Sequence, residues 1–157
     1  MGGCVSAREI GLVEALEKGN YNYLDRSKMS PRESLMAAYD ADIFLSSANA
    51  VTNDGILINI DGNSNRVSCI AQGPRKVVFI VGINKVCSDL DSAMKRARNV
   101  AAPVNAQRFD LNIPCRETGK CFDCKSMDTI CCQFLITRFS RHTDRIHVIL
   151  VNDTLGY

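Results

Sequence analysis

Val77-Val78-Phe79-Ile80-Val81 is apolar at every position and closes on Gly82. A strand with one wet face alternates apolar and polar residues. An unbroken β-branched and aromatic run is expected where helices cover both faces of a sheet. Working outward, Ile43-Phe44-Leu45 and residues 56–60 and 146–151 also have strand length and β-branched content. Helical signals lie between them. Ser6 and Glu9 have the spacing of a capping box; Ile10, Val13 and Leu16 follow at helical spacing and Gly19 ends the run. Ser30-Pro31-Arg32-Glu33 repeats the device ahead of Leu35, Met36 and Tyr39, the expected buried stripe. Ser88 and Asp91 open a third helix carrying Leu90, Met94 and Ala97, which Pro103 should stop soon after Ala102. Alternating strands and helices predict an α/β layered domain with a mainly parallel sheet.

Asparagine and glycine gather where these strands end. Asn53-Asp54-Gly55 is a turn signal after the segment containing Asn49. In residues 56–60, Ile56, Ile58 and Ile60 share one face, and Leu57 and Asn59 the other. An asparagine inside such a strand must find a partner, backbone or ligand. Asp61-Gly62-Asn63-Ser64-Asn65-Arg66 then reads as a turn opening a helix through Val67, Ile70 and Ala71. A helix start offers free amides to an anion, and Arg66 would add a fixed positive charge. Gly82-Ile83-Asn84-Lys85 follows the strand at Val77. Ligands of open α/β sheets bind beyond the carboxyl ends of strands. The segments around Gly2 and Gly3, Asn49, Asp61 and Lys85 are therefore expected to form one anion pocket, with Asn59, Gly62, Asn63, Asn65, Arg66 and Asn84 as further ligand-binding candidates.

Cys115, Cys121, Cys124 and Cys131 have the spacing C-x5-C-x2-C-x6-C within a cysteine-rich segment, residues 115–132, in which Cys132 is a fifth thiol. Two cysteines separated by two residues hold one metal ion from a single turn, and two more nearby complete a tetrahedral thiolate set. Gly119, just before the knuckle, suits a backbone that must curl. The alternatives are buried free thiols or a disulfide, and the latter is rare in a reducing compartment. Zinc and a 4Fe–4S cluster both accept four thiolates, so the metal stays open.

The chain has 157 residues, 46% hydrophobic and 23% charged, which suits one domain, residues 1–157, with its own core. A net charge of +2 supplies no global field to recruit nucleic acid or a membrane. No apolar run has membrane-spanning length. Eight cysteines and no charged-then-apolar start lead us to expect a cytoplasmic location. Met1-Gly2-Gly3-Cys4-Val5-Ser6 matches a myristoylation pattern with Cys4 placed for palmitoylation, but it also reads as a loop before a helix.

Several stretches together resemble the LUD (lactate-utilisation) domain family. They are Asp54-Gly55, Asn59-Ile60-Asp61-Gly62-Asn63 with Asn65-Arg66, Val81-Gly82 with Asn84-Lys85, and Asn99-Val100-Ala101-Ala102-Pro103 with Asn105 and Arg108. Thr118-Gly119-Lys120-Cys121 with Asp123-Cys124, residues 146–152 and Leu155-Gly156-Tyr157 extend the likeness over nearly the whole chain. The resemblance implies a fold like that of ribose-5-phosphate isomerase, glucosamine-phosphate isomerase and the CoA-transferases. One branch of the family works with iron–sulfur proteins in oxidising L-lactate to pyruvate. The cysteine motif belongs to part of the family. Relative to that pattern the chain is expected to be N-terminally truncated, without the usual preceding helix and first strand, and Cys4 stands at a strand-end loop position where serine is common. That position favours the loop reading of the N-terminus over lipidation.

Three functions follow as expectations. The first is a binding subunit for a small organic acid or anion in a redox assembly, partnered by iron–sulfur subunits and carrying a zinc or iron–sulfur site. The second is an isomerase or acyl-transfer enzyme. Related enzymes use a strand-end carboxylate; here Asp61 would be the base and Lys85 would act with it. The third is a structural module whose metal knuckle braces a partner, including a second copy of the chain. Asp54 is assigned to its turn, Glu9 to a cap, His147 to a core or interface position and His142 to solvent.

Overall fold

A computed structural model describes residues 3–157. The described chain divides into two compact units, one of residues 3–47, Ser68–Asn84 and Ser140–Gly156, the other of Ala48–Val67, Lys85–Phe139 and Tyr157.

The first unit holds a parallel three-stranded sheet in the order β1-β4-β7, with β1 Ile43–Ser46, β4 Lys76–Gly82 and β7 Ile146–Val151. The run at Val77 is the central strand. Val77, Phe79 and Val81 are fully buried and Ile80 nearly so, as expected for a strand covered on both faces. Helices α1 (Val5–Glu9), α2 (Leu12–Lys18) and α3 (Pro31–Asp40) belong to this unit. Cys4 and Ala7 of the α1 region are buried with Ile80, so the Cys4 thiol faces the core.

Ser30 and Glu33 form the expected reciprocal cap: Glu33 N–H donates to Ser30 Oγ at 3.3 Å and Ser30 N–H to Glu33 Oε2 at 2.9 Å. Ser6 and Glu9 do not form theirs. Ser6 is buried, lies 3.4 Å from Ser47 Oγ and donates to Leu155 O at 3.3 Å, while Glu9 accepts from Gly156 N–H. The helix expected to run to Gly19 is also interrupted, because Gly11 adopts φ 73° and starts α2 afresh. Met36 is exposed. Instead, α3 turns Ser34, Ala37 and Ala38 towards a cavity of about 690 Å³ that Leu12, Leu16 and β1 also line.

The second unit holds a mixed four-stranded sheet in the order β5-β2-β3-β6: β2 Ala50–Thr52, β3 Leu57–Asp61, β5 Val86–Cys87 and β6 Gln133–Thr137. β3 is antiparallel to β2 and β6, and β2 is parallel to β5. All five residues of β3 are buried. Asn53-Asp54-Gly55 makes the expected turn, with Gly55 at φ 91° and its N–H on Thr52 O. Helix α5 (Leu90–Arg96) starts one residue later than expected: Asp89 and Ser92 form its capping box. Nor does the helical run stop near Ala102. A π turn over Ala97–Ala101 leads into α6 (Ala102–Ala106). Pro103 thereby falls in a first turn, where its missing N–H costs least. Helix α7 (Pro114–Thr118) precedes the cysteine knuckle, and Gly119 ends it at φ 70°. Helix α4 (Asn65–Ala71) links residues of the two units. Among the described residues, no helix is long and apolar enough to cross a membrane.

Candidate functional site

The end of β3 is where the expected polar residues meet. Asp61, 8% exposed, turns its carboxylate onto the start of α4. Oδ1 accepts from Asn63 N–H at 3.1 Å, and Oδ2 from Arg66 N–H at 2.9 Å and Val67 N–H at 3.0 Å. The protein's own carboxylate thus occupies amides that the sequence suggested for an external anion. To act as a base, Asp61 would have to release them. Arg66 folds back as well: its guanidinium donates to Asn49 Oδ1 at 3.3 Å and to the Ile60 carbonyl. Asn49 Oδ1 also accepts from Ile60 N–H at 2.8 Å. Asn59 is completely buried, whereas Asn63 is exposed and Gly62 and Asn65 are half-buried.

The other candidates divide between the units. Lys85 belongs to the second and is buried, 3% exposed. Gly3 and Asn84 belong to the first; Gly2 lies outside the described residues. Asn84 accepts from Leu155 N–H at 3.1 Å and donates to Gly156 O at 3.4 Å, so its amide fastens the chain that follows β7.

Antiparallel pairing of β3 with β6 sets Asp61 opposite Gln133. Cys132 N–H then donates to Asp61 O at 2.9 Å. A methyl added at Gly62 would stand 3.3 Å from the Ile130 backbone. The polar loop and the thiol segment, separate in the sequence, are neighbours at one end of this sheet. Cys115, on α7, is buried with Ala106 and Ile113, and Cys124 and Ile130 pack on that group. Burial raises the Cys115 thiol, and Cys124 and Cys121 push it the same way. Burial likewise pushes Cys131 up to about 12, reinforced by Cys121, Cys115 and Cys124. Their donor chemistry suits a thiophilic ion. As the side chains stand, no three His, Cys, Asp or Glu groups among the described residues are gathered to hold a metal ion.

Against this geometry, a family model of the LUD domain matches residues 1–151. The chain belongs to the LUD domain family. No curated protein and no solved structure matches it. The α/β architecture, with its parallel sheet and surrounding helices, agrees with the isomerase-like fold that the sequence resemblance implies.

The sequence of this LUD domain gave little notice of three features. Arg98 donates to Cys121 Sγ at 3.5 Å and pairs with Asp123 at 2.7 Å. Thr129 Oγ1 accepts from Cys131 N–H at 3.3 Å and from the Cys124 thiol at 3.6 Å. Both contacts depend on folding distant segments together, and no local motif marks them. The third is strand β6, whose alternation is masked because Phe134 and Ile136 are both exposed. His147 is half-exposed, with Nε2 2.9 Å from Asp144 O, and does not belong to the core.

Proposed function

We propose that this LUD domain is the thiolate-bearing component of a small-acid redox system, with Cys115, Cys121, Cys124 and Cys131 as the ligands of one metal centre. The observation that carries the reading is that Cys124 packs on the Cys115 cluster while Thr129 Oγ1 joins the Cys124 thiol to the Cys131 amide, all beside the Asp61–Gly62 loop. Zinc there would brace the segment, and a 4Fe–4S cluster would carry single electrons. The chain's own part is to bring the thiols together and shed their protons. Two thiols are raised, so metal uptake must displace protons and favours higher pH. The proposed ligand class is a small organic acid, a reading that the family resemblance supports. Lys85 is the buried cation among the residues proposed to receive it.

The isomerase or acyl-transfer reading has weaker support, because its proposed base, Asp61, caps three amides. Metal analysis and visible absorption of anaerobically purified protein test the thiolate reading. Wild type should retain a stoichiometric metal, and Cys121→Ser should lose metal content and thermal midpoint together. Loss of neither refutes the assignment.

A further inference from the structure

Arg98 sits on the π turn, 23 residues ahead of Cys121 in sequence. Its guanidinium reaches two groups of the knuckle at once: Cys121 Sγ at 3.5 Å and Asp123 Oδ1 at 2.7 Å. The amide of Asp123 also points at Cys121 Sγ, at 3.5 Å. The arginine side chain is 34% exposed, so it is partly withdrawn from water. π turns are rare and occur often at functional sites.

We propose that Arg98 is the positioning residue of the thiolate centre: it offsets charge at the Cys121 sulfur and fixes the knuckle through Asp123, and so sets the affinity for metal. The inference rests on the thiolate reading above. Four thiolates around a divalent ion leave a net charge of about −2, which a nearby permanent cation stabilises. One guanidinium nitrogen, Nη2, makes both contacts, and the rigid plane of the group aims its two N–H bonds at the sulfur and the carboxylate together. A lysine ammonium also has donors enough for both, but on a flexible stem it holds them less rigidly. Residues that hydrogen-bond to metal ligands typically change affinity by about 10–100-fold when removed.

The test is zinc affinity by competition with a chelating dye, with the cobalt(II)–thiolate charge-transfer band as a second readout. Metal-free wild type, R98Q, R98K and D123N would be compared. Wild type should bind one zinc per chain. R98Q should weaken binding by about tenfold or more. R98K should recover part of that loss, and D123N, which leaves the guanidinium beside the sulfur, should lose less than R98Q. Zinc affinity of R98Q within about twofold of wild type overturns the inference and leaves the thiolate reading standing. Equal losses in R98Q and D123N also overturn it, since Arg98 would then act only by bracing Asp123. Wild type that takes up no zinc and shows no cobalt–thiolate band overturns both. If R98Q fails to fold, R98K decides: zinc affinity within about twofold of wild type overturns the inference, and a larger loss supports it.

Discussion

Replacing Asp61 by alanine tests whether its carboxylate is a structural cap. The substitution removes acceptors from three amides: Asn63, Arg66 and Val67. Val67 is 7% exposed, so its amide cannot readily turn to water. A buried donor left unpaired costs about 1–3 kcal/mol. The Asn63 amide lies in the turn and that of Arg66 in the first turn of α4, where water can replace the carboxylate, each losing a net of about 0.5–1 kcal/mol. Together the change should cost about 3 kcal/mol, a large part of the roughly 5–15 kcal/mol that keeps a domain folded. Asp61→Asn retains one acceptor oxygen and should cost about half as much. Urea denaturation followed by far-UV circular dichroism would measure both. The expected order of midpoints is wild type, then D61N, then D61A. Two variants within about 0.5 kcal/mol of wild type would refute the reasoning and return Asp61 to the pool of groups available for chemistry.

Asp89 supplies a pH-dependent test. Hydrogen bonds from the Ser88 hydroxyl, then from the amide and hydroxyl of Ser92, lower its carboxyl from 3.8 to about 2. A depressed acid stabilises the fold above its unfolded pKa, and this contribution is lost as pH falls through the folded one. The gap in urea midpoint between wild type and Asp89→Ala should therefore be constant near neutrality and narrow between pH 3.8 and about 2. A gap that widens on acidification contradicts the cap. Arg145 donates to Ile70 O at 2.7 Å and to Pro74 O and Cys69 O, both at 3.2 Å, closing the C-terminal end of α4. Arg145→Lys keeps the charge but cannot reach all three carbonyls, and should cost about 2 kcal/mol in thermal or urea melts. An unchanged melt would mean that water replaces those contacts freely.

Features set by neighbouring residues were readable from the chain. The Ser30 and Glu33 cap needs only four consecutive positions, and the apolar run at Val77 declares a doubly covered strand without knowledge of its partners. Ser6 and Glu9 have the same spacing, yet Ser47, Leu155 and Gly156 claim their side chains. Tertiary hydrogen bonds there outweigh a local cap. Pro103 was a fair stop signal that failed because the preceding π turn moves it into a new first turn. The cysteine spacing and the Asp61 loop stood out in the sequence as separate motifs. Their adjacency did not, since it follows from the register of β3 against β6, a strand with little apolar alternation to announce it. Arg98 was illegible for a related reason: a surface arginine acquires meaning only when Cys121 and Asp123 arrive beside it.

The parallel sheet is stitched from stretches far apart along the chain, and this governs how the molecule is born. β4 finds β1 soon after synthesis, but its other neighbour, β7, begins about seventy residues later. At about 5–20 residues per second, the apolar flank of β4 waits about 4–14 s for cover. Strands β5 and β6 of the second unit emerge during that interval. Nascent chains stalled before residue 146 should therefore be the species most in need of chaperones.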